Sequence, residues 1–569
     1  MRHRLLPVAL AAVLVGWEVG PAGATAAGCL RGSGVAAARC LREYVGVVEQ
    51  CRRTGSEACV TSAHAAAGLL PRLLSAAEGQ GRGACTAGEA EALGYLDLPD
   101  LGARIPEACR DVAEDLLAAT WGPPPPASAV ACRRQVVRRL GRLEATIVRD
   151  LGAECLVDVV AGRACDRARR DGRVERARDQ AVRGIVAGCG PEFDGLGLTA
   201  GPSLEARVGA VVDVVVDRAR HFAERTYPAP VLGPTGEPGP YPVGVRTIDL
   251  VDASRLAVGG SGPRPVRLEI WYPSTPGAVT GVPRDVVQVL GVNVSRTTSF
   301  RDVDRAPGRL PVVLFSHGSG GIRFQSVFLA QHLASHGFLV ASPDHHGNTF
   351  VDALRGVVDA QAAVNRPLDM HFVLDHLLAF DGEPGNFLAG AVDGDRVGMA
   401  GHSFGGYTAF ALAGGAFGLG TFTDPRVKAI LPQAPFSGPF DDAFFAGITI
   451  PTLVLGGSLD TTTPFAAHQE RPFEHLPSGA SVVGLAELVA AGHFTFSDVC
   501  EVPRNLVGLI GGFDEACEPR HLPWRWAHRI VNYLALNFFA ATLEGDAAAR
   551  ARLAPAALAA VDDLVYRTK

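Results

Sequence analysis

The chain has 569 residues, 47% of them apolar and 20% charged, with a formal net charge of -6. This supplies material for roughly two to four domains of about 100–200 residues and excludes both wholesale disorder and a collagen-like fibre. Acids and bases nearly cancel, and only Lys428 and Lys569 are lysines, so no global basic surface points to nucleic acid.

Arg2 and Arg4 precede an apolar run of 11 residues, Leu5 to Val15, and small residues follow that offer Ala22-Gly23-Ala24 or Ala24-Thr25-Ala26 as a cleavage site. Residues 1–27 therefore read as a signal peptide, since a membrane span needs about 20 apolar residues. No later stretch is long and apolar enough to span, and a secreted or periplasmic location is expected. Ala26-Ala27-Gly28-Cys29 offers a lipoprotein cleavage box as the alternative. Glu18 and Pro21 separate it from the apolar run, and lipidation of Cys29 would leave an odd number of thiols.

Ten of the twelve cysteines fall between Cys29 and Cys189. Cys29, Cys51, Cys59 and Cys85 are spaced 22, 8 and 26 residues apart, and Cys132, Cys155, Cys165 and Cys189 repeat this at 23, 10 and 24. Cys40 and Cys109 remain as an extra pair. The intervening sequence, as in Val136 to Leu151, is rich in Ala, Leu, Arg and Val without β-branched alternation, which reads as helix. Residues 28–195 are thus expected to form a disulfide-rich all-α domain of two units, about 28–120 and 127–195, parted by Trp121-Gly122 and Pro123 to Pro126. No C-x-x-C spacing occurs and His is scarce, so disulfides are expected rather than zinc. Arg133 to Arg183 holds 14 arginines against 8 acids. That is expected to be a solvated helix face, with binding of a surface or acidic polymer as the alternative.

A further helix is expected over Leu204 to Glu224, and the prolines from Pro228 to Pro240 complete a linker region, 196–240. From Tyr241 to Lys569 short apolar strands alternate with helical segments. Val245–Val251 and Val266–Tyr272 read as opening strands. Leu310–Ser316, Gly337–Ala341, Arg396–Ala400, Val427–Leu431 and Thr452–Leu455 read as buried parallel strands. The alternation predicts a doubly wound α/β sheet.

Gly401-His402-Ser403-Phe404-Gly405 lies between the strand at Arg396–Ala400 and a helical run, Tyr407 to Ala413. A serine on such a strand-to-helix turn stands exposed above the sheet, with glycines where side chains would clash. An alkoxyl nucleophile needs a base, and the base an orienting carboxylate, in the order Ser, acid, His. Asp460 ends the run Pro451 to Leu459, and His493 sits in the loop Ala491-Gly492-His493-Phe494. These are the expected acid and base. Asp424, Asp441, Asp442 and Asp498 are weaker acids because none directly ends an obvious strand. The N–H groups of Phe404 and of Ser319, in His317-Gly318-Ser319-Gly320-Gly321, are the expected oxyanion donors. Phe436, Phe440 and Phe444 are candidates for walls of the substrate pocket, with core packing equally compatible. Cys500 and Cys517 are expected to pair locally, and Gly508, Gly511 and Gly512 let the loop between them bend. Asp344-His345-His346 offers a metal reading. Adjacent loop histidines point apart and no third ligand spacing appears, so structural roles are expected and no metal.

Residues Tyr241 to Glu544 resemble the secreted platelet-activating-factor acetylhydrolases and the predicted dienelactone-hydrolase-like esterases. The resemblance rests on Gly239 to Gly244, Ile270-Trp271-Tyr272-Pro273, Ser316-His317-Gly318, Gly401 to Gly406 and Gly492 to Asp498. It implies an α/β-hydrolase fold and a serine carboxylic-ester hydrolase that needs no cofactor, acting on a small-molecule or polymeric ester. The acetylhydrolases carry their acid one strand earlier, where this chain has Gln433; placement at Asp460 resembles the cutinases. Dienelactone hydrolases proper use a cysteine where Ser403 stands. Phospholipid deacylation, or binding on an inactive hydrolase scaffold, are the alternative functions.

Overall fold

The computed structural model describes residues 21–53, 68–86, 127–148, 167–198, 201–226, 234–236, 238–260, 262–502, 513–517, 521–522, 524–559, 561 and 563–569, with isolated positions between 59 and 113. The expected signal core Leu5–Val15, Cys155, Cys165 and the glycines 508, 511 and 512 lie outside these residues. The chain divides into two compact units, 1–220 and 221–569.

The described part of the first unit is helical, with α1 (Pro21–Arg53), α2 (Leu69–Gly83), α3 (Val130–Val148), α4 (Arg167–Cys189) and α5 (Leu204–Thr226). The expected cleavage sites lie near the start of α1. Cys29 is bonded to Cys85 and Cys132 to Cys189, so the first and last cysteines of each repeat close equivalent loops of 56 and 57 residues. Cys40 is bonded to Cys109, and Cys59 is also disulfide-bonded. Val136, Leu140, Leu143 and Ile147 point inward from α3 at helical spacing and are buried. On the opposite side Arg134, Arg138 and Arg142 are exposed, as a solvated face requires.

The second unit is built on one sheet of eleven strands in the order β11-β10-β9-β8-β7-β5-β6-β2-β1-β4-β3. β1 (Val243–Leu256) and β2 (Pro263–Pro273) pair antiparallel. β5 (Leu310–Ser316), β6 (Leu339–Pro343), β7 (Val392–His402), β8 (Val427–Gln433), β9 (Thr452–Gly457) and β10 (Val483–Leu488) form the parallel centre, and β11 (Leu564–Thr568) closes one edge antiparallel. All seven residues of β5 are buried, which is why it reads as a continuous apolar run. α6 (Val327–Ser335) and α9 (Trp524–Leu543) pack one face of the sheet, and α7 (Ala362–Asp381) and α8 (Phe404–Ala413) pack the other. This is the α/β-hydrolase fold.

The opposite edge carries a hairpin that the sequence reading did not single out, β3 (Arg284–Val289) and β4 (Val292–Arg301). Its turn, Leu290-Gly291, holds both residues at positive φ, 53° and 78°, which matches the twist of the flanking strands.

Candidate active site

β7 ends at His402, and α8 begins at Phe404. Ser403 between them takes φ 56°, a strained conformation for a residue with a side chain. The surroundings hold it there. Its N–H donates to the Gln433 carbonyl at 2.9 Å, and its own carbonyl accepts from Phe436 N at 2.9 Å and Tyr407 N at 3.1 Å. A Cβ on Gly401 or Gly405 would collide with backbone, at Gly405 with the Ser316 carbonyl of β5.

His493 is buried in the loop after β10, and its Nδ1 lies 2.9 Å from Asp460 Oδ2, just beyond β9. A carboxylate only accepts, so Nδ1 carries the proton and Nε2 is the basic nitrogen. Asp460 is fixed in turn by Thr463, whose N–H donates to Oδ1 at 2.7 Å and whose hydroxyl lies 2.8 Å from Oδ2. The weaker acids have other partners. Asp424 binds Arg426 and His371, Asp441 caps a short helix through Phe444 N, and Asp442 binds Arg471. Asp498 accepts from Phe328 N at 3.1 Å near the start of α6, and burial pushes its carboxyl up to about 8. Gln433 is fully buried, and its side-chain amide has no partner among the described residues.

Gln325, absent from the sequence-based candidates, joins the Gly318–Gly321 loop to the His493 loop through His402. Gly318 N–H donates to Gln325 Oε1 at 2.7 Å. That orients the Gln325 amide to donate to His402 Nδ1 at 2.7 Å, so His402 Nε2–H donates to the His493 carbonyl at 2.8 Å. Burial holds His402 well below the usual histidine range, so it stays neutral in this chain of bonds.

Arg366, from α7, is also absent from those candidates. It is fully buried and donates to the carbonyls of His317, at 2.5 Å, and Gly318, at 2.9 Å. The Gly318 carbonyl and the Ser319 N–H belong to one planar peptide and point in opposite directions. Holding the carbonyl at Arg366 therefore aims the N–H away from it. The same guanidinium lies 4.7 Å over the Phe404 ring. Neither the Ser319 nor the Phe404 N–H has a hydrogen-bond partner among the described residues. Gln325 stands beside Ser326 and near Arg323, and Arg366 beside Asn365 and near Asp369, so neither stands out in the sequence as a buried polar group until the fold is known.

His345, for which a structural role is expected from the sequence, bridges Ser316 Oγ at 2.8 Å and Asp369 Oδ2 at 2.9 Å. Asp369 also takes the Arg264 guanidinium through both oxygens, at 2.8 and 2.9 Å. Among the described residues no group of three ligands could hold a metal. The pocket candidates divide. Phe440 and Phe444 are buried and stack on each other with centroids 4.2 Å apart, within the core beneath α8, so both are core residues. Phe436 is 38% exposed and meets the Phe404 ring edge-on at 6.2 Å.

Ser403, His402, His493 and Gly318–Gly321 open onto one cavity of about 420 Å³. A bond joins Cys500 to Cys517 in the segment after His493.

Residues 288–506 match the PET hydrolase-like family, PETase. Over 196 residues the chain is 27% identical to Cutinase 1 of Thermobifida cellulosilytica, covering 34% of this chain and 63% of that protein. It is 27% identical over 234 residues to the bis(hydroxyethyl) terephthalate hydrolase of Streptomyces coelicolor, covering 41% and 66%. A solved ferulic acid esterase from Streptomyces cinnamoneus aligns with TM-score 0.42 at 26% identity, covering 54% of this chain and 92% of that one. The chain spans between 52% and 66% of the length of the curated relatives it matches. The second unit has the α/β-hydrolase fold, and over the matched residues the chain is similar to cutinases and PET hydrolase-like proteins.

Proposed function

We propose that the protein is a secreted serine carboxylic-ester hydrolase working through an acyl-enzyme. The observation that carries this is the strained Ser403 opening onto the same cavity as His493, whose Nδ1 is bonded to Asp460 at 2.9 Å. Ser403 Oγ attacks the ester carbonyl as His493 Nε2 takes its proton. The tetrahedral oxyanion is received by the Ser319 and Phe404 N–H groups. His493 then returns the proton to the departing alcohol, leaving the acyl group on Ser403. Water, deprotonated by His493, repeats the attack and releases the acid. The cutinase and terephthalate-ester hydrolase relatives support this reaction class.

Secretion is supported by the N-terminal signal pattern and by the disulfides, which persist in oxidising compartments. The Cys29–Cys85 bond favours a soluble form over a lipidated one, because one sulfur cannot carry both links. Mixing the enzyme with p-nitrophenyl butyrate tests the reading: a burst of about one nitrophenol per active site supports it, and no release above buffer overturns it.

A further inference from the structure

The first unit carries a surface feature that ester chemistry does not use. Between α1 and α3 lies a groove of about 220 Å³, and four arginines reach it: Arg42 from α1, and Arg134, Arg138 and Arg142 from α3. The three on α3 stand at every fourth position, so they form one row along the helix with a rise of about 6 Å per step. Like charges at that spacing repel and weaken a helix. All four residues are exposed, and none has a carboxylate partner among the described residues. The nearby acids are engaged or withdrawn. Glu43, next to Arg42, is bonded to Arg39 at 2.8 Å, and Glu144, the one acid lining the groove, is 1% exposed.

The rest of α3 sets this row apart from residues used in packing. Arg139 and Gln135 lie against Gly184 and Gly188 of α4, where an added Cβ would come within 2.6 and 2.7 Å of them. Those glycines let the two helices approach. Gly46 of α1 and Gly141 of α3 line the groove, yet a Cβ on either would meet nothing within 4 Å. A glycine inside a helix costs stability relative to alanine. No contact among the described residues accounts for these two, and the space they leave open belongs to the groove. Its remaining lining is aliphatic, from Leu41, Val45 and Val137.

We propose that this groove binds an acidic polysaccharide, a linear polymer whose sugars bear carboxylates. The row presents positive charge repeatedly over about 12 Å, which suits a repeating acid better than a single small anion. Each guanidinium can take a carboxylate through two parallel N–H donors. The aliphatic lining suits the C–H face of a sugar ring, and a polyphosphate has no such face. No aromatic side chain lines the groove, so it lacks the platform on which nucleic-acid bases stack. The site lies in the first unit and makes no use of Ser403, so it stands or falls independently of the esterase reading.

The test is calorimetric titration of the full, oxidised chain with polygalacturonate, with its fully methyl-esterified form and with polyphosphate. Polygalacturonate should bind more tightly than polyphosphate, and the neutral methyl ester should not bind. Raising salt from about 50 to about 500 mM should weaken the binding at least about tenfold. Arg138→Ala with Arg142→Ala should also weaken it at least about tenfold. Arg176→Ala with Arg183→Ala removes the same charge from exposed α4 positions outside the groove and should cost less than about twofold. Gly141→Leu fills the groove with all charges kept, and should weaken binding at least about tenfold. The groove variants act by charge and by space, so a folding defect in one, read by circular dichroism, leaves the other to decide. No binding of polygalacturonate overturns the proposal, as does equal loss from the two arginine pairs or undiminished binding by folded Gly141→Leu. Polyphosphate binding as tightly as polygalacturonate, or binding of the methyl ester, also overturns it.

Discussion

Arg366 gives its hydrogen bonds to neutral acceptors, among them the Asn348 side chain at 2.8 Å and the two loop carbonyls. Burial lowers its pKa to about 9, so it is charged at neutral pH, beside the Gly318–Ser319 peptide whose N–H is the proposed oxyanion donor. A lysine would keep the charge and lose the planar fork. Arg366→Lys should therefore lower kcat by about 10–100-fold with KM within about threefold, as expected when a transition-state donor is misaimed. Steady-state kinetics normalised by active-site titration checks this, because a folding defect would instead reduce the number of active sites. Asp460→Asn should cost about 10⁴-fold in kcat by leaving His493 in the wrong tautomer. Gln433→Met should leave kcat within about threefold and raise the melting temperature, since it removes a buried amide with no partner among the described residues. If Gln433→Met is dead and Asp460→Asn active, the acid is misassigned. Asp498 gives a pH signature. Its carboxyl titrates near 8 when folded and near 3.8 when unfolded, so its contribution is intact below about 4 and is progressively lost up to about 8. Glu501 raises this pKa and Arg525 lowers it. Melting curves of Asp498→Asn against wild type should show the variant gaining relative stability across that interval, and a constant difference would contradict the assignment.

At the scale of elements, the parts written in local pattern were legible. The elbow follows from glycines between an apolar strand and a helix, and Leu310–Ser316 has in the structure the bounds its apolar run suggests. β10 and β11 were not singled out. The hairpin's two strands are half exposed and polar on one face, so they lack the apolar run that marks a central strand. Its Leu-Gly turn also lacks the usual Asn-Gly or Asp-Gly signal. Phe440 and Phe444 could not be told from pocket residues because an aromatic cluster beside a catalytic strand has the same composition whether it lines a cavity or fills a core. The segment after His493 gives a test at this scale. The Cys500–Cys517 bond closes 17 residues and is worth about 3 kcal/mol through the unfolded chain. A Cys500→Ser, Cys517→Ser double variant should melt several degrees lower by calorimetry. A lower kcat as well would show that the bond also steadies the loop bearing His493.

The whole molecule joins two units stabilised in different ways. The second buries an extensive core on each face of its sheet, whereas the first closes loops of 56, 69 and 57 residues with disulfides. Small helical units with modest cores depend on such links. Reduction should therefore abolish the helical circular dichroism of the first unit while ester turnover by the second persists at 25 °C. Repeating the reduction on the Cys500→Ser, Cys517→Ser variant removes the second unit's own bond from the comparison, and loss of turnover there would contradict independent stability of the two units. Whether Ser403 is the nucleophile of an acyl-transfer enzyme is read by intact-protein mass spectrometry after treatment with a fluorophosphonate. One adduct per chain is expected, mapped to Ser403 and absent from Ser403→Ala. An unmodified wild-type chain, or an adduct that persists in Ser403→Ala, would contradict it.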